Sequence, residues 1–233
     1  MKSSIERILA AVTLASCAAF CQDLSTTVAG KYQQLQAAIS AGNLAQAQTL
    51  SSDISRLISA QIRSNLPSPQ EMLAQAENAL ATHQSSDPNT TVYHQYLLPV
   101  LALQAGNLDK ANTYALALLD TLKGVTKGGT GIYGDAMFEA KTVHGLVAVQ
   151  NGDVATARQD LLDSISAAQY SSKLSTPGGI RYDLASSLLA KGAGDGVVEF
   201  LTQCSAFRPT DQQKYSVWIA AIKGGASPAL SGR

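Results

Sequence analysis

The sequence has little charge, and this deficit narrows what the protein can be. Charged residues make up 15% of its 233 residues, a low share because soluble domains usually contain roughly 25%. Basic and acidic residues number 17 each, so the formal net charge is zero. Nucleic-acid-binding proteins usually carry a basic excess, and we therefore expect no nucleic-acid partner. Apolar residues reach 45%, which excludes a disordered chain, and the abundant alanine favours closely packed helices.

Cysteine and histidine are also scarce, with three residues of each. Two of the cysteines lie near the start of the chain, and Cys204 is the remaining one. The first two, Cys17 and Cys21, lie in a segment that is predicted below to be a secretory signal. Cys204 alone cannot form an internal disulfide, so we expect it to be a small buried residue on a helix. The histidines lack the spacing of metal-binding motifs, and they are His83, His94 and His144. We therefore expect no disulfide framework, no metal and no cofactor, and we expect His144 to be hydrogen-bonded between helices.

The first 21 residues have the layout of a secretory signal. Lys2 and Arg7 belong to a charged start, residues 8–15 are apolar, and small residues follow. The apolar stretch is much shorter than the about 20 residues that a membrane-spanning helix needs. We therefore expect an exported protein that functions outside the cytoplasm, in the periplasm or beyond, after loss of a signal peptide spanning residues 1–21.

Two cleavage sites are compatible with this segment. The sequence Leu14-Ala15-Ser16-Cys17 resembles the bacterial lipobox, in which the cysteine is lipidated and becomes the mature N-terminus. Ordinary cleavage after Ala19 or Cys21 would instead leave a protein that starts near Gln22. The sequence leaves both sites open. A lipid on Cys17 is the only membrane attachment that we expect.

A helix–turn–helix pattern recurs along the chain. A helical run ends at glycine, an Asn or Asp follows it, and a small residue lies five positions after the glycine. The glycine and alanine pairs are Gly42 and Ala47, Gly106 and Ala111, and Gly152 and Ala157, and a looser fourth copy contains Gly192. Glycine adopts the left-handed turn cheaply, and Asn or Asp caps the second helix. Each copy is therefore predicted to be a helical hairpin in which the alanine lets two helices approach.

These residues resemble the tetratricopeptide repeat, which has Gly at the turn and Ala five residues later. The family also has a small residue seven positions before the turn, which Gly145 and Ala185 match and Leu35 and Pro99 do not. Successive turn glycines are 64, 46 and 40 residues apart, whereas family repeats recur about every 34 residues. The copies are therefore degenerate, with insertions. The region 134–204 is also similar to an uncharacterised group of exported bacterial proteins with such repeats.

The resemblance implies an all-α fold, an α-solenoid of about four tetratricopeptide-like hairpins in one domain over residues 22–223. An extra helix is predicted to begin at the capping box Ser68–Glu71, after which Ser85–Thr91 forms a surface loop. A last helix, Tyr215–Lys223, is expected to cap the stack, and residues 224–233 are expected to form a flexible tail.

Stacked helix pairs form a concave surface that suits peptides and protein segments. We therefore expect a non-enzymatic binding or scaffold protein outside the cytoplasm, with protein or peptide partners. The alternative is an outer-membrane lipoprotein that assists an envelope assembly or a secretion complex.

Two features look like sites but are interpreted otherwise. Residues 129–134 spell the dinucleotide fingerprint G-x-G-x-x-G, but no strand pattern precedes them. We expect a flexible, exposed loop over Gly124–Gly134, without a bound nucleotide. Asp135 and Glu139 lie four residues apart on one helix face, as a general acid and base could. A solvated helix start is the favoured interpretation, because carboxylates are stabilised there, and no catalytic residue is assigned.

Overall fold

The computed structural model describes residues 22–65, 67–83, 85–128 and 131–231. Within these ranges the chain forms helices and turns and contains no β-strand, which confirms the all-α class. None of the helices in this part of the chain combines the length and the apolarity needed to traverse a bilayer. The predicted signal segment, with Cys17 and Cys21, lies outside the described residues, so the two cleavage sites stay predictions.

Eleven α-helices follow one another along the described chain. They are α1 (Gln22–Ser40), α2 (Leu44–Asn65), α3 (Pro69–Thr82), α4 (Pro88–Gln95), α5 (Leu98–Gln104), α6 (Leu108–Leu122), α7 (Ile132–Gln150), α8 (Val154–Ser166), α9 (Asp183–Ala190), α10 (Gly194–Phe207) and α11 (Gln212–Lys223). Two short 3-10 turns, Ala168–Tyr170 and Pro209–Asp211, follow α8 and α10. The last helix was predicted from Tyr215 and begins three residues earlier.

Helices α3 and α4 begin at side-chain caps. The predicted capping box is present, since the Ser68 hydroxyl accepts the Glu71 N–H at 3.2 Å and the Glu71 carboxylate accepts the Ser68 N–H at 2.7 Å. The Asp87 carboxylate accepts two backbone N–H groups in the first turn of α4, which starts at Pro88. The prediction of a loop over Ser85–Thr91 is therefore wrong in its second half, because Asp87 acts as a helix cap.

Four tight turns join α1 to α2, α5 to α6, α7 to α8 and α9 to α10. Their glycines, Gly42, Gly106, Gly152 and Gly192, have φ between +72° and +82°, and a Cβ at any of them would meet no atom within 4 Å. The left-handed backbone, rather than crowding, therefore requires glycine at these turns. Asn43, Asn107 and Asp153 cap the following helices through bonds of 3.0–3.2 Å, whereas Ala193 provides no side-chain cap.

The residue five positions after each turn glycine is buried in the second helix of the pair. These residues are Ala47, Ala111, Ala157 and, in the fourth copy, Val197. Ala45 and Ala155, two residues before the corresponding buried alanines, are exposed. The second helix of each pair therefore has the orientation that the pattern predicts.

The chain divides into two compact units, Met1–Leu66 and Pro67–Arg233. In the N-terminal unit, α1 and α2 pack against each other as a hairpin. Their core is small and consists of Leu35, Ala38, Ala47, Leu50 and Ile54. The Lys31 ammonium lies 2.9 Å from the Asp53 carboxylate, and both side chains are partly exposed.

Helix α7 lies at the centre of the C-terminal unit. It contacts α6 and α8, and every residue from Ile132 to Val149 is buried or half-buried. Three apolar clusters meet on it, represented by Phe138, Ala136 and Val143. Leu230, in the segment predicted to be a flexible tail, is half-buried and packs against the first of these clusters.

Aromatic side chains near the C-terminus gather around Lys214. The Lys214 ammonium lies 5.2–5.8 Å from the ring centroids of Tyr182, Tyr215 and Trp218. The Tyr182 and Tyr215 hydroxyls are 3.0 Å apart, and burial raises the pKa of both phenols. Cys204 is buried in the same core, as predicted, and burial raises the pKa of its thiol. The cysteine is therefore a packing residue.

Candidate functional site

The two carboxylates at the start of α7 are buried. Asp135 is 8% exposed and Glu139 is 3% exposed. The prediction of a solvated helix start is therefore wrong, because the segment 171–183 folds over this end of α7 and binds both side chains. A signal for this burial is present in the sequence, since the apolar residues of α7 are spread around most of the helix and such helices lie in cores.

Glu139 is held by two cations from the 171–183 segment. Its carboxylate lies 2.7 Å from the Lys173 ammonium and 2.8 Å from the Arg181 guanidinium. Arg181 also pairs with Asp183 at the start of α9. A buried carboxylate is tolerated when it is paired and hydrogen-bonded, and these partners satisfy that requirement. The group is therefore a structural link between α7 and α9.

Asp135 fixes the beginning of the same segment. Its carboxylate accepts the backbone N–H of Lys173 at 3.2 Å and the hydroxyl protons of Ser171 and Ser172. A chain that approaches this closely leaves no room for side chains, and a Cβ on Gly179 would lie 2.0 Å from the Lys173 carbonyl oxygen. Asp135 and Glu139 therefore organise a loop, since both carboxylates bond to the segment 171–183.

Asp160 makes a second buried link, between α8 and α7. It is almost fully buried, receives a bond of 2.9 Å from the Lys141 ammonium and contacts Nδ1 of His144. Lys141 also pairs with Asp163 at 2.9 Å. A carboxylate on Nδ1 can orient a histidine for catalysis, but no hydroxyl or thiol bonds to His144 within the described chain. His144 is hydrogen-bonded between two helices, as expected.

The glycine-rich segment before α7 is shorter than predicted. The expected loop over Gly124–Gly134 ends where α7 begins at Ile132, and Val125 within it is buried. Gly134 lies inside the helix, where a Cβ would come within 2.6 Å of backbone atoms of the segment 167–171. The prediction of an exposed loop is therefore wrong at its C-terminal end. The last glycine of the fingerprint allows close packing of two backbone segments.

An open cleft lies between α3, the start of α4 and α6. Its volume is about 650 Å³, within the range of about 300–1,000 Å³ that is usual for ligand sites. The lining residues are Glu77, Leu80, Ala81, His83, Ser85, Thr91, Lys110 and Tyr114. These residues supply charged groups, hydroxyls and apolar surface to one concave space.

Two hydrogen bonds hold the carboxylate of Glu77 in place within the cleft. Its Oε1 accepts hydrogen bonds from the Lys110 ammonium at 2.7 Å and from the Tyr114 hydroxyl at 2.5 Å. The bond from Lys110, and then that from Tyr114, lowers the pKa of Glu77, whereas burial and Glu77 raise the pKa of Tyr114 to about 12. Glu77 is therefore ionised at neutral pH, and its Oε2 has no bond to any residue in the described chain.

Two histidine rings stack beside the cleft. His83 ends α3, His94 lies in the last turn of α4, and their ring centroids are 5.1 Å apart with 13° between the planes. His83 Nδ1 is 3.0 Å from the Ala79 carbonyl oxygen and 3.1 Å from the Thr82 hydroxyl oxygen. A carbonyl oxygen cannot donate a proton, so this bond requires Nδ1 to be the donor, and Nε2 is then the acceptor of the neutral ring.

The cleft residues were not identified from the sequence, because they come from different helices and follow no motif. The predicted turn residues, from Gly42 to Gly192, are spread along the chain and act in the turns. Within the described ranges, no group of three or more potential metal ligands converges.

No protein-family model matches the chain, and comparisons with curated proteins and with solved structures also give no match. The cleft is therefore the strongest candidate site.

Proposed function

We propose that the protein is an exported, non-enzymatic binding protein that takes a protein or peptide segment into the cleft between α3, α4 and α6. The observation that carries the proposal is the cleft itself, which combines an ionised carboxylate with apolar surface from Leu80 and Ala81. The free Oε2 of Glu77 can accept an N–H of a bound segment, and the apolar surface can cover a side chain. These are the two contacts by which extended peptides are commonly recognised.

The tetratricopeptide-like architecture is part of the proposal. In the C-terminal unit, α5–α6, α7–α8 and α9–α10 share the left-handed glycine turn and the buried residue five positions later. Stacked hairpins of this kind form an extended surface for protein segments. We propose that these pairs stack in that manner and that the cleft is one part of the resulting surface. Fold analogy supports this step and does not specify the partner.

Site-specific photo-crosslinking tests the binding site. A photoreactive amino acid replaces Ala81, which is exposed and lines the cleft, and in a second variant it replaces Val217, which is 62% exposed on α11. Both proteins are expressed in the native host and irradiated in the envelope fraction. We expect a discrete adduct from position 81 that is absent from position 217. Equal adduct yields from the two positions, or no adduct from position 81, would contradict the proposal.

The mass of the protein purified from its native host tests export. We expect the mature chain to lack at least Met1–Ser16, since residues 1–21 have the order of a secretory signal. A diacylglyceryl group on Cys17 would identify the alternative, a lipoprotein that assists an envelope assembly or secretion complex. An N-terminus near Gln22 would identify soluble export. An intact mass that includes Met1–Ser16 would refute export.

A further inference from the structure

The stacked histidines join two of the helices that form the cleft, α3 and α4. His83 lines the cleft and terminates α3, whereas His94 projects from α4 and is not among the lining residues. The ring contact therefore joins the end of α3 to α4 at one side of the cleft. A change in this contact would alter the cleft, because His83 both stacks on His94 and lines the cleft.

The contact depends on charge. Histidine is the side chain whose ordinary titration lies between about pH 5 and pH 8. Two neutral rings, or one neutral and one charged ring, can remain stacked. Two imidazolium rings with centroids 5.1 Å apart repel each other. His83 and His94 are at least partly exposed, so protons from the solvent reach them.

Within the described chain, no charged side chain bonds to either ring apart from the other histidine. From α3 and α6, Glu77, Lys110 and Tyr114 face the same cleft, and Glu77 is already bonded to the other two. At the start of α4, Asp87 accepts the two N–H groups that it caps. Helix α5 contains no titratable side chain. The two carboxylates of α7 bind the segment 171–183. Lys141 and His144, which also belong to α7, bind Asp160 of α8.

We propose that the His83–His94 stack is an acid-sensitive latch on the cleft, an inference that rests on the proposed binding function. With at most one ring protonated, the stack holds the last turn of α3 against α4 and the cleft has the shape described above. Protonation of both rings separates them, the last turn of α3 moves away from α4, and the bound segment is released. Acid in the extracytoplasmic space is the signal.

Nuclear magnetic resonance of the full mature chain tests the latch without any ligand. We expect a ring-to-ring nuclear Overhauser effect between His83 and His94 at about pH 8 that is lost at about pH 5. His144 is the internal reference, because its ring contacts Asp160 instead. A ring-to-ring signal that persists in acid, or one that is absent at the higher pH, would overturn the proposal.

A variant with an uncharged ring separates charge from packing. His94→Phe retains a ring that can stack on His83 but cannot take a proton, so the ring contact should persist at about pH 5. His94→Ala should lose the contact at both values of pH. If His94→Phe loses its ring contact in acid as the native chain does, repulsion between the two rings is not the cause and the proposal fails.

The crosslinking experiment then joins the latch to binding. From position 81, the adduct yield should fall at least about fivefold in acid in the native background and less than about twofold with His94→Phe. Equal losses in the two backgrounds would overturn the coupling of latch and cleft. Absence of an adduct under every condition would refute the proposed function, and the ring contact would still decide whether the histidines respond to acid.

Discussion

The α1–α2 hairpin and the α7–α8 hairpin have the same turn but very different surroundings. Gly42 and Gly152 share a left-handed backbone with open space around it, and Ala47 and Ala157 are both buried. Within its unit, α1 has α2 as its packing partner, whereas α7 is covered by α6, α8 and the segment 171–183. The turn motif therefore specifies a hairpin, and the composition of its helices determines how many neighbours the hairpin takes.

The charged side chains of the two units also differ in how deeply they are buried. The Lys31–Asp53 pair of the N-terminal hairpin is partly exposed, whereas Glu139 and Asp160 of the C-terminal unit are almost fully buried. A surface ion pair contributes little to stability, but a buried carboxylate without its partner is strongly destabilising. In the C-terminal unit, the charges therefore dictate where a loop must lie. In the N-terminal hairpin, apolar residues define the packing, and the charged pair lies at its surface.

Replacing a helical glycine by alanine should have opposite effects on stability in the two hairpins. Gly134→Ala in α7 should destabilise the protein by about 3 kcal/mol, because its Cβ meets backbone that cannot move aside. Gly30→Ala in α1 should stabilise its helix by about 0.5–1 kcal/mol, because no atom lies within 4 Å of that Cβ and alanine has the better helix propensity. Amide hydrogen exchange in α1 and α7 measures both effects. Changes of the same sign would remove the distinction between the hairpins.

Enlarging the buried alanines tests the packing around each turn. Ala111→Leu and Ala157→Leu should each cost about 2 kcal/mol by overpacking, because both alanines are fully buried in the C-terminal unit. Ala47→Leu should cost about 1 kcal/mol, since its helix pair has room to separate. Urea unfolding provides the values. Ala155→Leu and Ala45→Leu, at exposed positions, are the controls and should cost about 0.5 kcal/mol or less. Equal losses at buried and exposed positions would show that the hairpin phasing is wrong.

The turns themselves should behave alike in both units. Gly42→Ala and Gly152→Ala should each cost about 1 kcal/mol, because a left-handed backbone penalises a Cβ even in open space. Hydrogen exchange of the amides that flank each turn measures the cost locally. A much larger loss at Gly152 would mean that its surroundings, rather than its backbone conformation, make glycine necessary.

The smallest effect is expected at the surface pair of the N-terminal hairpin. The hydrogen bond from Lys31, followed by its charge, lowers the pKa of Asp53. A lowered pKa stabilises the folded state above the ordinary value of 3.8, and this contribution is lost as the pH falls through the lowered value. Asp53→Asn should therefore weaken α1–α2 slightly at neutral pH and flatten the acid dependence of its hydrogen exchange. An unchanged acid dependence would show that the pair contributes nothing.

Local rules in the sequence predicted the local structure well. The four glycine turns, the caps at Asn43, Asn107 and Asp153, and the capping box before α3 each depend on a few consecutive residues. The burial of the alanines follows from helical spacing within one hairpin. Such features need no knowledge of the rest of the chain, and they appear where the pattern placed them.

The contacts that the sequence did not predict join distant residues. Glu77 meets Lys110 and Tyr114 at separations of 33 and 37 residues, and these contacts shape the cleft. His83 and His94 come from different helices. The apolar composition of α7 indicates burial, but the segment that covers Asp135 could not be identified, because residues 171–183 have no periodic pattern of their own. Its position results from ion pairs and close backbone packing, which a single sequence does not encode in any fixed spacing.

The covering segment also implies an order of folding. Glu139 meets Lys173 and Arg181 at separations of 34 and 42 residues, with all of α8 in between. Neighbouring helices can pair while the chain between them is short, but a longer loop costs more entropy to close. We therefore expect α7 and α8 to associate first and the segment 171–183 to dock afterwards. Before it docks, we expect the carboxylates of Asp135 and Glu139 to be hydrated, so that burial of this end of α7 waits for the segment.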